Sequence, residues 1–285
     1  MTDVVAPAPT ISRVADSLSA GGGSDCSLTF VGTATMLLRF GPFTLLTDPN
    51  FLHRNERAYL GYGLTSKRLT EPALQLTELP ALDAVLLSHL HGDHWDRVAR
   101  RGLDAGLPVL STPQAARKLH RQGFSAAVGL ETWSEHEMRS GDHLLTVTAL
   151  PGRHGPGPTR FLLPAVMGSL ITYRPTPSAP ALRLYITGDT LLIEDLRDIP
   201  RRCGPLDVAV LHLGGTRLPG GLMVTMDAVQ GAELVEILQA ATAVPIHFDD
   251  YGVFKSPRSD FTAEIRRRGM TDRVTYVERG QTLAL

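Results

Sequence analysis

The chain has 285 residues, 43% of them hydrophobic and 20% charged, with 28 basic residues against 29 acidic. That composition suits one large domain or two small ones and excludes a disordered, collagenous or coiled-coil protein. A net charge of −1 excludes a strongly basic chain. Two cysteines, Cys26 and Cys203, cannot build a disulfide framework, so a reducing, cytoplasmic setting is expected.

Residues 1–25 are rich in Ala, Pro, Ser and Gly and read as a flexible tail, which leaves 26–285 as the folded domain. The tail lacks the basic start and apolar core of a signal peptide, and no run approaches about 18 uninterrupted apolar residues, so no membrane span is expected. Leu28–Phe30, Met36–Phe40 and Thr44–Thr47 read as antiparallel strands, with Gly41-Pro42 as a turn. Ala84–Leu87, Pro108–Ser111, Leu144–Leu150 and Ser169–Tyr173 follow as strands, then Leu182–Thr187, Val208–Leu211, Val244–Ile246 and Val274–Tyr276. Helices are expected at Pro113–Gln122 (capped by Thr112), at Met226–Ala240 (capped by Thr225) and at Arg258–Arg268. Arg174–Pro180 carries three prolines and reads as an exposed loop. Strands with helices between the later ones imply a layered α/β protein.

The chemistry is concentrated in His89-Leu90-His91-Gly92-Asp93-His94, directly after the apolar run Ala84–Leu87. Imidazole and carboxylate are ligands that zinc and related divalent ions prefer. Three later apolar strands also end in a potential ligand: Leu144–Leu150 leads to His154, Leu182–Thr187 to Asp189, and Val244–Ile246 to His247. In layered α/β folds, sites gather at strand ends, where loops converge over a rigid sheet.

On these residues the sequence resembles the metallo-β-lactamase superfamily, through the H-x-H-x-D-H motif, His154, Gly188-Asp189-Thr190 and His247, over roughly 26–285. The stretches Phe30–Thr35 and Leu46-Thr47-Asp48-Pro49 look like the branch of ascorbate-6-phosphate lactonase and the N-acyl-phosphatidylethanolamine phospholipase D enzymes. The resemblance implies a four-layer αββα sandwich with a dinuclear site. His89, His91 and His154 would bind one divalent ion and Asp93, His94 and His247 a second, with Asp189 bridging them. Zinc is the default metal, and manganese or iron suit the same ligands. A bridging hydroxide would then attack a phosphodiester, lactone or other ester, with Asp93 orienting the water or taking its proton. His91 stands where flavodiiron proteins have Glu, which favours hydrolysis over redox chemistry. A nuclease of the same fold and a non-catalytic metal- or ligand-binding protein are the alternatives. The near-neutral charge argues against nucleic acid as a partner and leaves a small-molecule substrate; a homo-oligomer is compatible with the sequence.

Other residues have weaker patterns. Asp48 is either an acceptor holding a ligand histidine or a turn cap before Pro49. His212 ends the strand Val208–Leu211 and is a candidate acid or substrate donor, against a structural histidine. Arg160, Tyr251 and Lys255 are candidate substrate contacts on rims after His154 and His247. His53, His120, His136 and His143 read as surface residues and Trp95 as packing.

Overall fold

A computed structural model of the chain describes residues 25–157, 161–218 and 220–285, so the expected tail lies outside the described residues apart from Asp25. The first half runs through β1 (Cys26–Gly32), β2 (Thr35–Phe40), β3 (Phe43–Thr47), a hairpin of β4 (Arg57–Gly61) and β5 (Leu64–Lys67), and β6 (Ala84–Leu86). It continues through α1 (Arg97–Gly102), β7 (Val109–Ser111), α2 (Pro113–Arg121) and β8 (Ala127–Gly129). The second half holds β9 (Glu135–Ser140), β10 (His143–Leu150), β11 (Gly168–Arg174), β12 (Leu182–Ile186), α3 (Asp198–Cys203), β13 (Val208–His212), α4 (Ala228–Leu238), β14 (Thr242–Ile246), α5 (Arg258–Arg267) and β15 (Thr282–Ala284).

Seven strands form one sheet in the order β15-β1-β2-β3-β6-β7-β8, and six form another in the order β14-β13-β12-β11-β10-β9. The period of two in the strands decides how the sheets stack. Met36, Leu38 and Phe40 of β2 face inward and meet Leu145, Val147, Ile171 and Leu184 of the second sheet in the central core. The intervening Leu37 points outward, where Val85, Val109 and the α2 residues Ala116 and Leu119 bury it. On the far side, Tyr185, Ala209 and Leu211 lie under Leu234, Val235 and Phe261 of α4 and α5. Three apolar layers between four layers of backbone make the αββα sandwich expected from the sequence.

Local chemistry sets several boundaries. Thr112 caps α2, its hydroxyl accepting the Ala115 amide at 3.1 Å, with Pro113 in the first turn. Gly41, at φ +54°, makes the β2–β3 turn. Pro245 falls in β14, an edge strand of its sheet, where a missing N–H is tolerated.

Two expected elements differ. The helix after Met226 starts at Ala228 and is capped by Asp227, whose carboxylate accepts the Gln230 amide at 3.1 Å; Thr225 serves elsewhere. Val274–Tyr276 makes a single parallel bridge, Ala243 to Val274, rather than a strand. Among the described residues no helix is long and apolar enough to cross a membrane.

Candidate metal centre

Directions within the two sheets bring the strand ends together. β3 and β6 are parallel neighbours, as are β12, β13 and β14, and β10 runs with β12 because each is antiparallel to β11. Asp48 follows β3, the H-x-H-x-D-H loop follows β6, His154 follows β10, Asp189 follows β12, His212 ends β13 and His247 follows β14. Every histidine and aspartate among them is buried except His91.

The seven residues assigned from the resemblance fall into interlocking groups whose donor atoms lie within 4.8 Å of one another: His89, His91 and His154; Asp93, His94 and His247; and His89, His94 and Asp189, which joins the first two. In the first group His91 Nδ1 lies 3.0 Å from His89 Nε2 and 3.1 Å from His154 Nε2. Tautomers follow from the outer ring nitrogens. His154 Nδ1 faces the Val224 carbonyl at 2.8 Å, which only accepts, so that nitrogen carries the hydrogen and the neutral ring keeps Nε2 bare. The Ser88 hydroxyl donates to Asp48 Oδ1 at 3.0 Å and accepts from His89 Nδ1 at 3.0 Å, which leaves His89 Nε2 bare as well. His91 Nδ1 lies between these two bare nitrogens, where a ring hydrogen would serve one of them and a cation would serve all three. Three nitrogens held tetrahedrally at about 2.0–2.1 Å from zinc would stand roughly 3.3 Å apart, close to the spacing seen. The donor set therefore fits a metal ion.

The second group has the same logic. His247 Nδ1 donates to the Leu213 carbonyl at 3.0 Å, and His94 Nδ1 faces Asp48 Oδ2 at 3.3 Å. Their Nε2 atoms point at Asp93 Oδ2 from 3.6 and 3.9 Å. Asp93 Oδ1 and the Nε2 atoms of His94, His212 and His247 are buried with no hydrogen-bond partner among the described residues. Orphaned buried donors and acceptors are rare and costly, and the three that belong to the Asp93, His94 and His247 group call for an ion. Asp48 thus holds His94 through Oδ2, while Oδ1 accepts the Ser88 amide at 2.7 Å. The carboxylate positions histidines on both sides of the centre and is no mere turn cap.

Burial lowers the basicity of His89, and the neighbouring histidines add to it. His91 drops to about 3 through burial and the facing His154, so both rings are neutral and able to ligate. In His94 burial acts the same way but is outweighed by Asp189, Asp48 and Asp93, which raise it well above its ordinary value. Burial pushes the Asp93 carboxyl up, yet His94 and His247 bring it down to about 2. Asp189 is likewise held far below the carboxylate range, since His247, His94 and His212 overcome its burial.

Asp189 sits between the groups. Oδ2 lies 3.4 Å from His94 Nε2 and accepts the Thr225 hydroxyl at 3.0 Å, and Oδ1 faces His212 Nδ1 at 3.2 Å. Thr225, expected as a helix cap, is a holder of this carboxylate. His212 is fully buried and turns Nδ1 onto Asp189, where it orients that side chain, which favours the structural histidine of the two readings the sequence left open.

The three expected substrate contacts fare differently. Arg160 lies outside the described residues. Tyr251 is a correction: it is 1% exposed, packs on Leu52 and Ala58, and donates its hydroxyl to Asn50 Oδ1 at 3.0 Å. Lys255 donates to the Gly252 carbonyl and lines a surface cavity with Arg217 and Asp260 that none of the seven residues lines. Trp95 is buried against Phe124 as packing, and His143, taken for surface, pairs with the Tyr173 hydroxyl at 2.7 Å. Missed in the sequence were Asn50 and Arg68. The fully buried Arg68 donates to the Asn50 carbonyl at 2.9 Å and to its side chain, and Asn50 Nδ2 donates to the Gly92 carbonyl at 3.0 Å. This chain of contacts holds the middle of the histidine loop.

Gly92 also receives the β4 strand: its amide donates to the Tyr59 carbonyl at 2.9 Å. A Cβ there would lie 2.6 Å from the Tyr59 oxygen and 2.7 Å from its nitrogen, both backbone atoms that cannot swing aside. Gly92→Ala should therefore lift the hairpin off the loop and cost about 1–3 kcal/mol, seen as a lower melting temperature. Gly106→Ala, whose Cβ would meet nothing closer than 3.5 Å, is the control. Equal melting of the two variants would show that the hairpin is not seated on Gly92.

An αββα sandwich that gathers histidines and aspartates at one edge defines the class of protein. The chain belongs to the β-lactamase superfamily, whose domain model matches residues 44–248. It is 29% identical over 260 residues to a protein of Deinococcus radiodurans named as a UPF0173 metal-dependent hydrolase, covering 90% of this chain and 97% of that one. Among solved structures it is similar to the isothiocyanate hydrolase from Delia radicum gut bacteria, with a TM-score of 0.77 and 22% identity over 91% of this chain and 99% of that one. It is also similar to a possible metal-dependent hydrolase from Veillonella parvula, with a TM-score of 0.74 and 21% identity over 91% and 99% of the two chains. At these identities the solved structures speak for the fold.

Proposed function

We propose that this chain is a metal-dependent hydrolase that opens a lactone, phosphodiester or other ester with two divalent ions, zinc by default. The observation that carries the reading is the pair of donor groups joined by Asp189, with buried ring nitrogens and carboxylate oxygens left without hydrogen-bond partners among the described residues. The name of the Deinococcus radiodurans relative agrees with metal-dependent hydrolysis, and the Phe30–Thr35 and Leu46–Pro49 stretches carry the likeness to the lactonase and phospholipase branch.

In this reading His89, His91 and His154 hold one ion, Asp93, His94 and His247 the other, and Asp189 touches both. When bound, such ions lower the pKa of water towards neutrality and polarise the bond under attack. The chain's own residues do the rest. Asp48, through Ser88 and His94, fixes which ring nitrogens are bare, while His212 and Thr225 fix the two oxygens of Asp189. Asp93 keeps Oδ1 unpartnered and is ionised, with a pKa of about 2, so it suits orienting a water better than storing its proton.

The test is metal analysis of the reconstituted protein with an activity screen over lactones, phosphodiesters, thioesters and short RNA. Two ions per chain and ester turnover that a chelator abolishes are expected. A ceiling of one ion after reconstitution, or RNA cleavage without ester turnover, would overturn the proposal.

A further inference from the structure

Of the seven residues in the centre, His91 is the one that solvent reaches, so a substrate has to approach along the surfaces that meet at His91. Two troughs meet there and share Tyr59, Leu90 and Lys118 in their walls. One, of about 350 Å³, runs between the tip of the β4–β5 hairpin and the segment Phe161–Pro164 and is rimmed by Tyr62, Phe161, Leu162 and Leu163. The apolar rim is exposed to solvent: Tyr62 is 73% exposed, Phe161 77% and Leu162 62%. Tyr62 donates its hydroxyl to the Leu162 carbonyl and so ties the two walls together. Large apolar groups exposed side by side at the mouth of a site mark ligand contact more than chance.

The second trough, of about 340 Å³, lies between β4 and the helices α1 and α2. It is lined by Arg57, Arg97, Arg100 and Lys118. Arg57 is engaged with Thr65 and Arg97 with Glu56, whereas the side chains of Arg100 and Lys118 have no hydrogen bond or ion pair among the described residues. The buried Asp96 in its wall is spent on the Leu52 and Ala99 amides, each at 2.7 Å, and offers the two cations no partner. The trough thus presents two uncommitted positive charges beside His91, Arg100 in this trough alone and Lys118 where it joins the apolar one.

We infer that the substrate is an ester with one apolar aryl or alkyl arm, seated between Tyr62 and Phe161, and one anionic arm, held by Arg100 and Lys118, with the scissile bond lying over His91 between them. This rests on the hydrolase reading for its chemistry and on the two troughs for its substrate class. The hydrolysis is an ordinary one: water adds, the ester bond breaks, and the arms leave as an acid and an alcohol. Specificity then resides in the hairpin, the Phe161–Pro164 segment and the cations of α1 and α2, not in the metal-facing residues.

A non-hydrolysable ether separates binding from turnover. Calorimetry on the metal-loaded protein would use 4-(hexyloxy)benzoate, the shorter 4-methoxybenzoate and the uncharged 4-(hexyloxy)benzyl alcohol. Hexyloxybenzoate should bind at least tenfold tighter than methoxybenzoate, because five further methylenes are buried. Arg100→Gln with Lys118→Gln should weaken hexyloxybenzoate about threefold to fivefold per charge and leave the alcohol unchanged. Phe161→Ser with Leu162→Ser should erase the advantage of the longer chain. Equal binding of the long and short ethers, or a benzoate affinity indifferent to both cation replacements, would overturn the inference. The corresponding ester, 4-(hexanoyloxy)benzoate, keeps the two readings apart: ether binding without turnover of this ester or of any lactone, phosphodiester or thioester supports the troughs and overturns the hydrolase.

Discussion

Asp189→Asn should lower turnover by more than the roughly 10–100-fold that loss of an outer partner costs a metal site, because Asp189 is the residue that joins the two donor groups. The replacement nearly preserves volume but removes a buried negative charge. Its amide oxygen can still accept from His212 Nδ1 in place of Oδ1. The amide nitrogen then takes the place of Oδ2, 3.4 Å from His94 Nε2, and can donate to the lone pair that would otherwise bind the ion. Thr225 can reverse its hydroxyl and accept, so no buried donor is stranded. The metal-free fold should melt somewhat below the wild type, because the buried charge that pairs with His94 and His247 is gone, while β12 stays packed by Leu184, Tyr185 and Ile186. The added stability on metal loading should shrink. His136→Gln, on the partly exposed strand β9, should change neither turnover nor metal content. Wild-type turnover with two bound ions in Asp189→Asn would mean that another carboxylate joins the centre.

What the sequence made legible was whatever is written locally. The H-x-H-x-D-H run, and the apolar stretches ending in His154, Asp189 and His247, are short-range patterns, and the fold needed only their alternation to stack two sheets. The failures share a cause in partners far away along the chain. Tyr251 lies in the polar stretch Asp249–Lys255 and looks like a rim, yet Asn50, 201 residues distant, takes its hydroxyl. Thr225 has the profile of a helix cap, but Asp189 claims its side chain before Asp227 caps the helix. The hairpin β4–β5 has little apolar alternation, because it covers a loop through Ala58 instead of joining a core sheet. Its turn signal, Gly61-Tyr62-Gly63, was present: Tyr62 and Gly63 both take positive φ, as a two-residue hairpin turn requires. Arg68 is the hardest case, since a fully buried arginine in a polar stretch gives no sign of what will surround it.

Asp48 was evenly balanced in the sequence between cap and acceptor, and its replacement tests the positioning role most directly. Asp48→Asn keeps the backbone, because asparagine tolerates the left-handed region where Asp48 sits at φ +36°. The amide oxygen can still accept from the Ser88 amide and hydroxyl, so His89 keeps its tautomer. The amide nitrogen instead confronts His94 Nδ1 at the 3.3 Å now spanned to Oδ2. Two donors cannot face each other there, so the His94 ring is driven to carry its hydrogen on Nε2, and the lone pair aimed into the second group is lost. The expected result is selective. Affinity for one of the two ions should fall about 10–100-fold while the other, held by His89, His91 and His154, stays. Chelator competition on the loaded protein would show a two-step release in place of a single one, and turnover would follow the more weakly held ion. Excess metal should restore part of the turnover, which loss of the fold would not allow. If both ions bind Asp48→Asn as tightly as they bind the wild type, His94 does not depend on Asp48 for its tautomer, and the Nδ1 contact is packing alone.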